Sequence, residues 1–237
     1  MVDNNGCWQF EEKEIYRVVI DYYSDLFKSS CPTKFTKLLD AIGPKVSPAM
    51  NSTLTCDFQE VEVYKMLKQM FPLKSPGPDG MPPLFFLHFW PTIRNVVTKT
   101  MLDSLNLGII PPKFNETNIV LVPKIKDTKK ITEFRPISLC IVVYKLASKT
   151  LANRLKKVLP KIISDSQSVF VHGRLITDNV LVAFETMHHI NQKRWAKIGE
   201  MALKLDMSNA YDRLEWVCLE KIMEKLGFSS RWRELMM

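Results

Sequence analysis

The sequence predicts an α+β fold that is predominantly helical. Most of the chain carries apolar residues at helical spacing, one short β-branched run closes at Pro123, and residues 200–207 alternate between apolar and polar as a strand does. The 237 residues, 46% of them hydrophobic, are enough for one sizeable core or two small ones. We therefore expect a folded protein rather than a disordered chain.

Composition narrows the function classes. No run of eighteen apolar residues occurs, and residues 1–10 lack the basic and apolar regions of a secretory signal. We therefore expect an intracellular protein, nuclear or cytoplasmic, that neither enters a membrane nor is secreted. The five cysteines are scattered without paired spacing, which predicts free thiols. The net charge of +8 favours a polyanionic partner, although charge alone does not identify one.

The first third of the chain predicts two helices separated by a connector. Residues 11–28 have a helical apolar stripe, whereas residues 33–55 have poor periodicity and predict a connector with at most a short helix. We place a candidate domain boundary there. A second helix is expected to begin at Asp57, with Glu60 as its capping-box partner, and to end before Pro72.

The middle of the chain predicts a loop, a helix and a hairpin. Residues 74–83, KSPGPDGMPP, are rich in proline and glycine and predict an ordered turn-rich loop or a linker. A helix-like apolar run follows at 84–105. The β-branched run 118–122 predicts a strand, and a hairpin into residues 134–139 is plausible from the charged turn between them.

The pattern of residues 143–226 predicts four elements in order: a long helix, a second helix, a strand and a final helix. Residues 143–158 pack one helical face and leave the other basic, and a further helix is expected at 178–195. In the predicted strand 200–207 the alternation turns Asp206 away from the core. The final helix is expected at 214–226, with a glycine directly after it as the C-terminal cap.

Five segments in fixed order resemble the reverse transcriptases of plant LINE elements, which are non-LTR retrotransposons. The resemblance covers most of the chain and identifies it as an N-terminal fragment of the polymerase domain. The segments are KSPGPDG at 74–80, LVPKIKD at 121–127, FRPISLC at 134–140, GRLITDNV at 173–180 and LKLDMSNAYDRLEW at 203–216.

This resemblance implies a right-hand polymerase that joins deoxynucleotides to a DNA primer on an RNA template, with Mg²⁺ or Mn²⁺ held by paired carboxylates. It divides the chain into an upstream helical segment and connector at 1–55, a fingers-like region at 56–199 and the truncated start of the palm at 200–237.

Five residues match the nucleotide site of the family. Asp206 matches its first metal-binding aspartate, and the Met207 carbonyl is a further possible ligand. Tyr211 matches the aromatic under the sugar, although a tyrosine packed at a helix start explains it without function. Lys124 and Arg135 match the residues that grip the triphosphate, where solvated surface charges are the alternative.

Gly173 and Arg174 match a segment that helps to hold template RNA in this family. The loop 74–80 also fits a position along the template backbone, because glycines let a phosphate approach the main chain, and a purely structural turn explains it equally well. His172 and Asn209 depart from the family pattern. These departures fit a decayed element, an exon or a partial reading frame.

The later palm aspartates of the family have no counterpart in residues 207–237. We therefore expect this chain to be inactive as a polymerase alone, because one carboxylate cannot hold two ions. The alternative is a non-catalytic, basic RNA-binding fragment of a decayed element. A third possibility is marginal folding, since an incomplete palm sheet leaves open edges.

Overall fold

The computed structural model describes residues 1–3, 6–193, 200–207 and 210–237. They form a mixed, mainly helical structure with one small antiparallel sheet of two strands. No helix among these residues is long and apolar enough to cross a membrane. The elements are α1 (Glu12–Leu26), α2 (Thr36–Asp40), α3 (Pro48–Thr55), α4 (Glu60–Lys68), α5 (Pro83–His88), α6 (Trp90–Leu107), β1 (Thr117–Pro123), β2 (Phe134–Cys140), α7 (Val142–Ile162), α8 (Ile176–Gln192), α9 (Trp216–Leu226) and α10 (Ser230–Met236).

The core forms around α7, which packs against α3, α4 and α6. Val142 and Leu146 are fully buried, because apolar residues four apart lie on one face of a helix. At 21 residues, α7 is about 32 Å long, enough to support the whole cluster. The predicted helical stripe at 143–158 is therefore confirmed.

A buried charge ties α7 to the chain around α3 and α4. Arg154 is 4% exposed, and its guanidinium donates to both carboxylate oxygens of Glu62, at 3.1 and 2.8 Å. It also lies 3.4 Å from the centre of the Phe58 ring. The remaining acceptors are the main-chain carbonyls of Leu54, Cys56 and Asp57.

The helix predicted to start at Asp57 begins three residues later. The Asn106 side chain holds Phe58 outside the helix, since its amide oxygen accepts from the Phe58 N–H at 2.8 Å and its amide nitrogen donates to the Phe58 carbonyl at 3.1 Å. The capping partner is Glu62, which accepts from the Gln59 N–H at 3.0 Å. The predicted pairing of Asp57 with Glu60 is wrong because a tertiary contact fixes this stretch.

Two other helix predictions need correction. The connector 33–55 contains two short helices, α2 and α3, rather than at most one. The run 84–105 is broken at Phe89 into α5 and α6, because Pro91 has no N–H to continue the hydrogen-bond ladder. Helix α10 was not predicted.

The sheet agrees with the predicted hairpin. Strand β1 pairs antiparallel with β2, from Thr117 opposite Cys140 to Pro123 opposite Phe134. The turn between them is closed by Glu133, whose carboxylate accepts from the Lys129 and Lys130 N–H groups at 2.6 and 3.0 Å.

The strand predicted at 200–207 is absent. This segment has no regular secondary structure, and its apolar side chains are exposed, with Met201 88% and Leu205 82% exposed. No strand of the described residues pairs with it, and a strand forms only where a neighbour satisfies its backbone. Apolar and polar residues do alternate in this segment, but alternation alone does not form a strand without a neighbouring strand to pair with.

The helices on either side of this segment largely agree with prediction. Helix α8 runs over Ile176–Gln192, and the predicted end at Trp195 lies outside the described residues. Helix α9 begins two residues after the predicted start. Gly227 ends it with a φ of +92°, as a glycine cap requires.

Candidate nucleotide-binding and catalytic site

The hairpin brings the two basic candidates together. Arg135 lies directly opposite Val122, and Lys124 follows two residues after Val122. Residues opposite each other in an antiparallel pair point to one face, so Arg135 shares the face of Val122 at the end of the hairpin nearest Lys124. Both basic side chains are exposed.

Backbone hydrogen bonds fix Lys124. Its N–H donates to the Glu133 carbonyl at 2.8 Å, and its ammonium donates to the Thr132 carbonyl at 2.7 Å. Hydrogen bonds from the Lys130 and Lys129 N–H groups hold the pKa of Glu133 below its usual range, so its carboxylate stays charged and keeps the turn closed. The sequence analysis did not predict the role of Glu133 in closing the turn. Its position directly before Phe134 and Arg135 could have indicated that role.

The metal-binding candidates are accessible to solvent. Asp206 and Met207 lie in the irregular segment 200–207, and both side chains are exposed. Within the ranges that the structure describes, no three His, Cys, Asp or Glu side chains are grouped to hold a metal ion. A carboxylate is the hard oxygen ligand that Mg²⁺ prefers, but these residues alone do not make a two-metal site.

Tyr211 lies beside an open cleft. Its side chain is 77% exposed, and its ring meets the Phe170 ring edge-on with 6.2 Å between centroids. The cleft has a volume of about 820 Å³ and is lined by residues 25–30, at and just after the end of α1, and by residues 211–216 and 219. Lys124, Arg135 and Asp206 do not line it. The structure therefore brings Lys124 and Arg135 together and leaves Tyr211 in a separate cleft.

The cleft is closed on one side by Glu215, which the sequence analysis did not single out. Its carboxylate accepts from the Ser29 hydroxyl at 2.7 Å and from the Ser30 N–H and hydroxyl at 2.8 and 2.7 Å. These hydrogen bonds, the Ser29 bond first, lower the pKa of Glu215. The segment after Tyr211 is thus tied to the end of α1.

The predicted template-binding pair has a local structural role. Gly173 has a φ of +84°, which only glycine adopts readily. The Arg174 guanidinium donates to the Gln167 carbonyl at 2.6 Å, to the Asp165 carboxylate at 3.2 Å and to the Ser164 carbonyl. Most of its hydrogen-bonding capacity is therefore used to order the loop after α7.

The match to known proteins covers these candidate residues. Residues 122–237 match the family described as reverse transcriptase (RNA-dependent DNA polymerase). The transposon TX1 uncharacterized 149 kDa protein of Xenopus laevis is 30% identical over 213 residues, which are 89% of this chain and 16% of that protein.

Two Drosophila melanogaster proteins are also similar. The 115 kDa protein of the type-1 retrotransposable element R1DM is 24% identical over 215 residues, 89% of this chain and 19% of that protein. The retrovirus-related Pol polyprotein of the type-2 retrotransposable element R2DM is 27% identical over 158 residues, 65% of this chain and 14% of that protein. The chain thus spans less than a fifth of these relatives.

The chain therefore carries part of a reverse transcriptase domain. Its three relatives are proteins of the elements TX1, R1DM and R2DM, so the chain is similar to the reverse transcriptase domains of non-LTR retrotransposons. The class expected from the five motifs is confirmed. The relatives come from a frog and a fly, so the plant type of the element remains a prediction.

Proposed function

We propose that this chain is the N-terminal part of an RNA-directed DNA polymerase domain that acts inside the cell, in the nucleus or the cytoplasm, on an RNA template, a DNA primer and deoxynucleoside triphosphates. The observation that carries the proposal is the hairpin geometry, which places the backbones of Lys124 and Arg135 at the same end of the hairpin, with both side chains exposed. A guanidinium fork and an ammonium group suit the oxygens of a triphosphate. The match to reverse transcriptases over 122–237 supports the assignment.

The proposed roles follow the family motif. Asp206 and the Met207 carbonyl would hold a divalent ion, Mg²⁺ or Mn²⁺, which supplies charge stabilisation to the reacting oxygens when bound. Tyr211 would lie under the sugar and exclude a 2′-hydroxyl. The described residues hold no group of three acidic, histidine or cysteine side chains that could hold a metal ion, and we propose that residues outside them supply the other metal ligands.

We propose that the chain divides into three regions. Residues 1–55 form the upstream segment, residues 56–199 the fingers-like region and residues 200–237 the start of the palm. Gly173 and Arg174 lie late in the fingers-like region, where the loop that Arg174 orders would support template RNA.

A second candidate function is RNA binding without catalysis, by a basic fragment of a decayed element. The absence of an acidic metal cluster from the described residues favours it. The two candidates differ in one respect that can be tested: only the first regains activity when the rest of a palm is supplied.

Primer extension on an RNA template with Mg²⁺ and deoxynucleotides tests the proposal. Three proteins are compared: the 237-residue chain, the chain extended with the palm and thumb of a related element, and the extended form with Asp206→Ala. We expect extension only by the extended form and its loss with Asp206→Ala, because the catalytic carboxylate has been removed.

Asp212→Ala in the extended form is the matched control. It removes a nearby carboxylate of the same motif, to which we assign no role in metal binding. It should keep activity. A well-folded extended form that is inactive would leave the RNA-binding candidate. Activity of the 237-residue chain alone would overturn our account of the missing ligands.

A further inference from the structure

A stripe of lysines runs along the outer face of α7. Lys145, Lys149 and Lys156 follow one another at intervals of four and seven residues, which places them within about 40° of one line along the helix. The first and last are about 17 Å apart along the helix axis. Ala152 lies between them, so no bulky side chain interrupts the stripe.

The loop 74–80 adds a fourth lysine to this stripe. The Lys145 ammonium donates to the Ser75 carbonyl at 2.8 Å. Gly77 is buried against the junction of β2 and α7, where an added Cβ would lie 2.7 Å from the Cys140 carbonyl oxygen. These two contacts hold the loop on α7 and bring exposed Lys74 to the stripe.

The four charges are not neutralised. None of Lys74, Lys145, Lys149 and Lys156 makes an ion pair with the parts of the chain that the structure describes. Partial burial, followed by repulsion from Lys74, lowers the pKa of Lys145, and Cys140 and Asp79 offset this only in part. Burial and repulsion from Lys156 and Lys74 lower the pKa of Lys149. Such a surface gains free energy when an anion covers it.

An exposed aromatic ring lies at the edge of the same surface. Phe71 is 69% exposed, and its carbonyl accepts from the Lys74 N–H at 3.1 Å, so one turn holds the ring and the charge together. A basic track with an exposed ring beside it is the arrangement that binds single strands, because the phosphates meet the lysines and an unpaired base stacks on the ring.

We propose that Lys74, Lys145, Lys149, Lys156 and Phe71 form a binding surface for single-stranded RNA, read through its phosphates and one stacked base without regard to sequence. The inference rests on the proposed function in that it gives the RNA template a place on the chain. It needs no metal ion and no catalysis, so binding is measured on the 237-residue chain itself.

The test is fluorescence anisotropy of a labelled, mixed-sequence single-stranded RNA of 20 nucleotides with the variant K149Q/K156Q. We expect its affinity to fall about tenfold at low salt and the slope of log K against log salt to fall by about 1.4, the value for two lost phosphate contacts. The matched control is K99Q/K113Q, which loses the same charge from lysines paired with Asp103 and Glu116. It should change neither quantity.

Two further variants separate charge from stacking. K149R/K156R should retain binding, because the charges remain. F71A should weaken single-stranded RNA about tenfold and leave duplex RNA of equal length unaffected, because paired bases cannot stack on the ring.

Amine acetylation of the unaltered chain gives a readout that does not depend on any variant. RNA should protect Lys149 and Lys156 from acetylation but not Lys99 and Lys113. Equal losses in the two glutamine pairs, no selective protection, or tighter binding of polyglutamate than of RNA would overturn the proposal. RNA binding is measured without Mg²⁺ and deoxynucleotides, so a failure of the polymerase assignment is distinguishable from a failure of this surface.

Discussion

Arg154 shows how one residue can hold distant parts of the chain together. Its guanidinium is buried among the Glu62 carboxylate, three carbonyls and the Phe58 ring. We expect Arg154→Met to lower the free energy of unfolding by about 3–5 kcal/mol, because it leaves a partly buried carboxylate and buried carbonyls without partners. Urea denaturation measures this change.

The control for this variant is Arg94→Met, which removes the same charge from an exposed position in α6. It should change the free energy of unfolding by less than about 0.5 kcal/mol. Equal effects of the two substitutions would contradict the role we give to the buried ion pair.

The same ion pair predicts a pH dependence. Burial opposes ionisation of Glu62, but hydrogen bonds from Arg154 and the Gln59 N–H outweigh it and lower the pKa. A lowered folded pKa gives stability that is complete above the unfolded pKa, about 4.5, and is lost as pH falls through the folded value. The stability advantage of the wild type over Glu62→Gln should therefore be larger at pH 7 than at pH 3.

Urea denaturation at several pH values measures this difference. The same comparison in an Arg154→Met background is the control, since the principal hydrogen-bond donor to Glu62 is then gone. A stability difference between wild type and Glu62→Gln that does not change with pH would show that folding does not lower the pKa of Glu62.

At the scale of elements, Gly77 couples the loop 74–80 to α7. We expect Gly77→Ala to destabilise the protein by about 1–3 kcal/mol, because the new Cβ would overlap the Cys140 carbonyl and the Ile141 nitrogen. Gly43→Ala is the control, since nothing lies within 4 Å of its added Cβ. Thermal denaturation compares the two, and a greater loss from Gly43→Ala would contradict the packing we describe.

The comparison of two predicted strands explains which elements the sequence could predict. Residues 118–122 have a partner thirteen to twenty-one residues away, across a turn that is itself visible in the sequence, so β1 and β2 were predictable. Residues 200–207 alternate as clearly but have no partner among the described residues. The predicted start of α4 was wrong for a similar reason, since Asn106, far along the chain, holds Phe58 out of the helix.

At the scale of the whole molecule, α8 has one unusual property: none of its residues is buried. Val180 is 63% and Phe184 66% exposed. We expect Val180→Glu to leave the free energy of unfolding unchanged within about 0.5 kcal/mol, because the side chain is already exposed to solvent. Urea denaturation measures this effect.

The matched control is Val63→Glu in α4, where the side chain is fully buried. It should unfold the protein, because burying an unpaired charge costs more free energy than the folded state can offset. Tolerance of Val63→Glu, or unfolding by Val180→Glu, would show that the core lies elsewhere.

The candidate site was predictable where it is contiguous in sequence. Lys124 and Arg135 lie within the two motifs of one hairpin, and short-range pairing brings them together. The contacts that order the site were not predictable, because Glu215 reaches Ser29 across 186 residues and Lys145 reaches Ser75 across 70. No local pattern encodes such pairs.

The contacts of Arg154 also have a consequence for synthesis of the chain. Its acceptor at Leu54 lies 100 residues earlier, so α3 and α4 leave the ribosome long before their partner exists. At about 5–20 residues per second, the delay is on the order of 5–20 s. During that time the surface of α4 that packs against α7 has no partner. This protein should therefore depend on translation speed and on chaperones near the exit tunnel more than a protein with local contacts does.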